Sequence, residues 1–377
     1  MEKQIRGMIM ENKTDSAFHG SDLEKIEKVY GINKDEIISF SANVNPLGIS
    51  HELSTELGKN ISVIERYPDR EYTGLREAIG SYCGTSWKNI IVGNGSSELI
   101  ASFTKLKKGA KAMIIGPTYS EYARGISVGQ GTAVYYELKE ADGFKADVED
   151  IKRHLSSELD ILIICNPNNP TSGAIKKDEL GEILDDCLEK HIFVMVDETY
   201  IEFAENSEDI EAIPFAEMYD NLFVIRGVSK FFAAPGLRLG YAVTGNAMLR
   251  DRITQNMEPW SVSSLAEYAG RVMFTDKEYI EKTKKYISDE RNRVCAALDK
   301  FHDAGIHYYE PSANFVLCRI MNARHSASEL FDICIKEKMM IRNCATFPFL
   351  NDSYFRFCFM NPEDDDRLLA VIGEVMV

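Results

Sequence analysis

The segment Ser229–Tyr241, SKFFAAPGLRLGY, sets one lysine, Lys230, beside a run that is otherwise apolar and punctuated by glycine. In such surroundings the ammonium loses solvation, its pKa falls, and the neutral amine becomes a nucleophile toward carbonyls. Eight residues further on, Arg238 lies between Leu237 and Leu239, and a guanidinium offers a phosphate a planar fork of donors. An amine for an aldehyde and a fork for a phosphate fit a phosphorylated aldehyde such as pyridoxal phosphate. The same two side chains would equally serve as ordinary surface charges near a strand.

Chemistry at Lys230 requires a frame. Short apolar runs at 90–92, 112–115, 133–136, 161–165, 192–196, 222–225 and 239–243 alternate with helical stretches. That alternation predicts an α/β domain with a mostly parallel seven-stranded sheet covered on both faces. Ligands of such sheets gather beyond the carboxyl ends of the strands. After the run at 90–92 comes GNGSSE, a glycine-rich turn into a helix whose free amides, with the hydroxyls of Ser96 and Ser97, suit a phosphate. It has neither the lysine of a Walker loop nor the full G-x-G-x-x-G pattern.

Three further strand ends carry groups of complementary chemistry. Tyr119, in GPTYSEY, offers a face for stacking on a flat heterocycle. Asn169, in NPNNPTSG, offers an amide donor to a phenolate oxygen. Asp197, in DETY, ends a buried apolar run, where a lone carboxylate is costly unless it meets a cation. A protonated pyridine nitrogen would be such a cation, and Tyr200 lies within reach of the same ring's oxygen. Singly, each has an everyday reading as core-edge tyrosine, loop asparagine, helix-capping aspartate or exposed lysine.

Upstream, His19, Gly20 and Ser21 precede an amphipathic helix with Leu23, Ile26 and Val29 on one face, capped by Ser21 or Asp22. That turn is either an ordinary cap or a lid over an anion. In FSANVNPLG, Asn43 and Asn45 stand before a helix-blocking proline, as ligand contacts or as Asx-turn supports. Beyond about Gly245 long helices at 261–274 and 279–301 give way to strands at 314–319, 340–342 and 354–359 with a helix at 327–337, which reads as a separate α+β lobe. Arg342 and Arg356 sit on or beside its strands, where arginine is costly unless it binds an anion.

Composition narrows the class. The chain of 377 residues, 45% hydrophobic and 27% charged, is long enough for two lobes with large cores. Its net charge of −16 argues against nonspecific nucleic-acid or anionic membrane binding, so an anionic substrate needs a local cation cluster. Eight cysteines without a C-x-x-C pair read as reduced core thiols, with no metal site expected. With no membrane-length apolar run and no secretory pattern at the start, a cytoplasmic location is expected.

In the order Tyr119, Asn169, Asp197, Tyr200, Lys230, Arg238 and Arg356, with an S-K dipeptide followed by G-x-R-x-G, the chain resembles the fold-type I aminotransferase superfamily over nearly its whole length. The resemblance implies a large cofactor-binding domain at 45–260, a smaller α+β domain at 261–377, and an N-terminal arm and helix at 1–44 packing with the small domain. It implies that Lys230 forms a Schiff base with pyridoxal 5'-phosphate, that Asp197 holds the ring nitrogen protonated, and that Asn169 and Tyr200 contact the ring hydroxyl. Tyr119 would stack on the ring. Ser96, Ser97, Ser229 and Arg238 would bind the cofactor phosphate, joined by Tyr67 from the second subunit of a homodimer, and Arg356 would grip the substrate carboxylate. Relatives usually carry a hydroxyl where this chain has Gly227.

Within the superfamily the chain is similar to the branch of threonine-phosphate decarboxylases of cobalamin synthesis and histidinol-phosphate aminotransferases. HGS, FSANVNPLG, EPWSVS and IRNCATFP favour the decarboxylases, in which His19, Gly20, Ser21, Asn43 and Arg342 would surround the phosphate of a phosphorylated amino acid. Tyr200 is the residue usual in the aminotransferases, and Ser21 replaces a more usual glycine.

Overall fold

A computed structural model describes residues 22–376; His19, Gly20 and Ser21 lie outside them. The described chain forms two compact units, residues 44–288 and the segments up to Asn43 and from Asp289. Along the chain come α1 (Leu23–Tyr30), β1 (Ile38–Ser39), α2 (His51–Lys59), α3 (Thr73–Cys83), β2 (Ile90–Asn94), α4 (Ser96–Thr104) and β3 (Lys111–Gly116). There follow α5 (Glu121–Val128), β4 (Thr132–Glu137), α6 (Val148–His154), β5 (Ile161–Cys165), α7 (Lys177–Glu189), β6 (Phe193–Asp197), β7 (Leu222–Gly227) and β8 (Leu239–Val243). After α8 (Ala247–Gln255) and α9 (Ser264–Met273), the long α10 (Lys277–Leu298) leads into β9 (Ile306–Tyr309), β10 (Phe315–Ile320), α11 (Ala327–Lys336), β11 (Met339–Met340), β12 (Arg342–Asn343), β13 (Tyr354–Cys358) and α12 (Pro362–Met376).

The larger unit holds a seven-stranded sheet in the order β2-β8-β7-β6-β5-β3-β4. Only β8 runs against its neighbours; the others are parallel, as the alternation of apolar runs and helices requires. The inner strands β5, β6 and β7 are buried on both faces, which explains why they read as unbroken apolar runs rather than alternating ones. On one face Ile114, Ile163, Met195 and Phe223 pack with Leu99, Phe103 and Ile126 of α4 and α5, and Phe103 stacks on Phe223 with ring centroids 5.0 Å apart.

This unit continues past residue 260, further than the sequence predicts. Helix α9 belongs to it because Ala266, Ala269, Gly270 and Met273 form a buried face. A Cβ at Gly270 would lie 2.5 Å from Leu75 and 2.7 Å from Leu239, so the helix packs at glycine distance. The division falls inside α10 instead.

The other unit carries the antiparallel sheet β12-β13-β10-β9 and a parallel pair, β1 with β11. The single strand expected at 340–342 is two: Met339–Met340 pairs with Ile38–Ser39, and Arg342–Asn343 pairs with β13, the change of partner falling at Ile341. All eight cysteines are free thiols, six of them buried.

Beneath the site-bearing edge of the larger sheet lies an ionic cluster. Arg226 donates from Nε to Glu198 Oε2 at 2.8 Å, both side chains almost wholly buried, and from Nη2 to Glu211 at 3.4 Å. The pair ties the turn after β6 to β7. Glu202, in the short 3-10 turn Ile201–Phe203, is 4% exposed, and neither carboxyl oxygen has a hydrogen-bond partner. Burial raises its pKa to about 7 against the pull of Arg226. Unfolded, the group ionises near its ordinary 4.5, so the folded state holds a proton that the unfolded state releases, and stability falls as pH rises from 4.5 through about 7. Glu202→Gln should match the parent near the low end of that window and be more stable by about 1–3 kcal/mol at about pH 8 in urea unfolding. Equal stability of the two proteins at both ends would contradict it.

Candidate active site

Asp197 closes β6 and is 3% exposed. Its Oδ1 accepts from the amide (3.0 Å) and hydroxyl (2.6 Å) of Thr199, and its Oδ2 from the Tyr122 hydroxyl at 2.8 Å. Burial pushes its pKa up, while the bonds from Thr199 and Tyr122 pull the other way. These partners are neutral donors that orient the carboxylate without supplying positive charge. Such a group fits a cationic ring N–H, whose charge would offset the desolvation. Tyr122 keeps its proton because full burial lifts its pKa well above the ordinary phenol value.

One turn before Tyr122, Tyr119 meets it edge to face with centroids 5.6 Å apart. Burial raises the Tyr119 hydroxyl to about 12, with smaller contributions from Glu121 and Asp197 and an opposing one from Arg238. Tyr119, Asp197 and Arg238 therefore share one electrostatic neighbourhood. Asn169 is buried in the loop after β5. That loop is built by its sister amides: Asn166 spans to Ile175 and Ile210, and Asn168 donates to Pro117 and Thr171. Tyr200, 6% exposed, lies in the turn after β6.

The phosphate-like cradle forms where β2 enters α4. Gly95 has φ +75°, and a Cβ there would lie 2.8 Å from Arg238 Cζ, so the guanidinium rests against a backbone that only glycine permits. Gly240 repeats the device: its Cβ would fall 2.6 Å from the Gly95 carbonyl carbon and closer still to the Ser96 amide. Arg238, itself in the left-handed region (φ +57°), precedes β8, whose pairing of Leu239 with Asn94 and Gly240 with Gly227 brings it to this edge. A helix N-terminus and a guanidinium thus share one cradle, and both attract an anion. Ser96 is half-buried here and Ser97 exposed.

Ser229 and Lys230, half-buried, follow β7 beyond Gly227. Donors for a phosphate, a carboxylate for a ring nitrogen, an aromatic face and a lysine all follow strand ends at this edge, so the residues present fit pyridoxal phosphate. Tyr67 is 82% exposed, its ring tilted 44° against that of Trp260 with centroids 5.1 Å apart.

In the other unit Arg342 and Arg356 are direct cross-strand partners of β12 and β13. Arg356 is 4% exposed, donates to Ser41 O at 2.7 Å and lies 5.1 Å over the Phe315 ring. Arg342 donates to Thr346 at 2.9 Å and lies 5.3 Å over Phe347. Burial, then Arg356, lowers the Arg342 pKa. Asn43, buried at φ +54°, accepts from Asn314 through its carbonyl at 3.1 Å. Among the described residues no group of His, Cys, Asp and Glu could hold a metal ion, and no helix is long and apolar enough to cross a membrane.

Residues 35–372 match the family Aminotransferase class I and II. The chain is 32% identical over 358 residues to the threonine-phosphate decarboxylase of Salmonella typhimurium, covering 95% of this chain and 96% of that one. The crystal structure of the histidinol-phosphate aminotransferase from Clostridium acetobutylicum superposes with TM-score 0.84 at 34% identity, covering 89% of this chain and 98% of that one. The fold is also that of the Sinorhizobium meliloti histidinol-phosphate aminotransferase solved in complex with pyridoxal-5'-phosphate (TM-score 0.83, 19% identity, 96% of each chain). The chain belongs to the class I and II aminotransferase family, a family of pyridoxal-phosphate enzymes.

Sequence reasoning missed Tyr122 and Thr199. Thr199 follows Asp197 at Asx-turn spacing, a signal available beforehand; Tyr122 showed only as a second tyrosine one helical turn beyond Tyr119. At Gly227 the structure explains what glycine costs. A Cβ there would meet only Leu239 O at 3.6 Å, Gly240 Cα at 3.8 Å and Ser96 Cβ at 3.8 Å, so a side chain fits, facing Ser96. Gly227→Ser should fold normally and bind pyridoxal phosphate about five-fold or more tightly, as one added charge-assisted hydrogen bond predicts. Unchanged affinity in a fluorescence titration would place the cofactor phosphate elsewhere.

Proposed function

We propose that this enzyme removes CO2 from a phosphorylated α-amino acid, with L-threonine O-3-phosphate as substrate and 1-amino-2-propanol phosphate as product, a step suited to cobalamin side-chain synthesis. The observation that carries the reading is the pairing of Arg342 with Arg356. Two guanidiniums side by side on apolar rings raise one another's energy unless anions lie against them. A phosphorylated amino acid brings a carboxylate and a phosphate. Histidinol phosphate brings a phosphate alone, and in amino transfer the carboxylate would come only with the 2-oxo acid acceptor, never together with that phosphate. The likeness to the Salmonella decarboxylase supports the same choice.

The cofactor supplies an electron sink for the pair left behind when a bond at the substrate's Cα breaks. The protein supplies the rest. Asp197 keeps the ring nitrogen's proton in place, Tyr119 stacks, and Asn169 and Tyr200 hold the ring oxygen. Ser96, Ser97, Ser229 and Arg238 anchor the cofactor phosphate. Arg356 takes the substrate carboxylate, and Arg342, with Asn43, His19, Gly20 and Ser21, takes the substrate phosphate. Lys230 would hold the cofactor's carbonyl carbon through its amine, with loss of water, and, released when the substrate's amine takes that place, would deliver a proton to Cα where CO2 departs. The alternative is amino transfer of the histidinol-phosphate type, in which Lys230 removes the Cα proton; the 34% identity to the Clostridium enzyme favours it.

Incubation with O-phosphothreonine, with and without 2-oxoglutarate, tests the choice. Gas evolution independent of the acceptor is expected; amino transfer only in its presence would overturn the decarboxylase reading. Arg342→Ala should lose at least about ten-fold in kcat/KM for phosphorylated over unphosphorylated substrate, while an unchanged preference removes Arg342 from the phosphate.

The exposed ring of Tyr67 serves the active site of a second copy in a homodimer. Refolding Lys230→Ala together with Tyr67→Ala should restore activity that neither variant shows alone, through the one intact site of the hybrid. No recovery in a hybrid shown to form would refute the shared site.

A further inference from the structure

Of the two asparagines in FSANVNPLG, the cofactor and substrate account uses only Asn43. Asn45 is 2% exposed and makes several hydrogen bonds beside Lys230. Its main-chain N–H donates to Lys230 O at 3.0 Å. Its side-chain Nδ2 donates to the next carbonyl, Phe231 O, at 2.8 Å, and approaches Tyr279 Oη at 2.8 Å and Thr283 Oγ1 at 3.2 Å. Its Oδ1 accepts from Leu47 N at 3.0 Å. The amide's orientation is fixed by chemistry: Phe231 O can only accept and Leu47 N can only donate. Tyr279, whose hydroxyl burial raises to about 12, keeps its proton and donates onward to Gly48 O at 2.5 Å.

We propose that Asn45 is a positioning residue for Lys230, fixing the lysine's main chain to α10 so that only its side chain moves during reaction. The proposal rests on Lys230 being the cofactor-bearing residue. Two consecutive carbonyls, of residues 230 and 231, are held by one side chain and its own amide. The remaining bonds reach Tyr279 and Thr283 on α10, and Phe231 is wedged edge-on between Phe203 and Phe232 at 5.2 Å from each. Few other residue types can do this. Alanine leaves Phe231 O only the long contact from Tyr279 Oη at 3.5 Å, and aspartate turns an oxygen toward it. Asn45 also lies just past the first point where the chain passes between units, and α10 carries the second.

The bland alternative is that Asn45 supports only its own Asx turn. Asn45→Asp separates the two, because it keeps the acceptor for Leu47 N and removes the donor to Phe231 O. In hydrogen exchange on the apoprotein, amides 231–234 should exchange about ten-fold or more faster than in the parent, with 222–227 unaffected. With pyridoxal phosphate added, the pKa read from the pH dependence of the bound cofactor's visible band should shift by about half a unit or more. With O-phosphothreonine as substrate, kcat should fall about ten-fold or more while KM stays within about three-fold. Unchanged exchange and an unchanged band pKa, with only a lower melting temperature, would overturn the proposal. If Asn45→Asp does not fold, Asn45→Ser, which keeps a turn acceptor, and Tyr279→Phe carry the same measurements to the same two outcomes. Retention of the visible band by Lys230→Ala would overturn the lysine reading and this proposal with it, whereas unchanged exchange in Asn45→Asp overturns this proposal alone.

Discussion

A carboxylate at the end of a fully buried strand is the constraint around which the larger unit is arranged. Placing Asp197 out of water costs several kcal/mol, on the order of the whole stability of a domain. The fold recovers part of that through Thr199 and Tyr122. Both partners are neutral, and neutral donors orient a charge better than they compensate it. A desolvation cost thus remains at this edge, of the kind that a cationic ring would offset. That is how an enzyme distinguishes a cofactor with a protonated nitrogen from one without.

The opposite problem is solved two strands away. There the positive groups are assembled, and like charges must be brought close before any anion arrives. The α4 N-terminus and the Arg238 guanidinium approach because Gly95 and Gly240 have no Cβ. Arg238 has positive φ, and its guanidinium lies against Gly95 and donates to Pro235 O at 3.1 Å. Both approaches are backbone decisions, and that makes them rigid. Side chains holding the same anion would have to be ordered at each binding event, at a cost in rotamer entropy.

What the sequence showed follows from this division. Lys230, Asp197, Tyr119 and Asn169 were legible because each comes at or shortly after the end of a run that reads as a buried strand, and strand ends converge by the rules of parallel sheets; Arg238 was legible between two leucines at the start of the next such run. Tyr200 followed from its place three residues beyond Asp197; the family resemblance added Tyr67. Tyr122 was not legible as a partner of Asp197, because 75 residues separate them and only the sheet joins them. Nor was the Arg226–Glu198 tie, since an arginine inside an apolar strand names no partner until the neighbouring strand is placed. The turn of partners at Ile341 escaped for a different reason. Residues 339–343 have the pattern of one strand, and only the competition between β1 and β13 divides them.

Lys230 poses a requirement that side-chain motifs cannot express. In the role proposed for it, its amine would change bonding partner during a turnover, while a drift of even about 1 Å in its Cα would misplace the proton it carries. Mobility and fixity must therefore be separated within one residue. Apolar packing around Phe231 restrains the neighbouring side chain but is indifferent to small rotations of the peptide. Hydrogen bonds to consecutive carbonyls are directional and resist those rotations. Asn45, bonded to the carbonyls of both Lys230 and Phe231, supplies that directional restraint from a segment remote in sequence. The precision of a lysine in the proposed role would thus rest on a residue to which that reading gives no ligand contact, and a motif read for ligand contacts alone would pass over it.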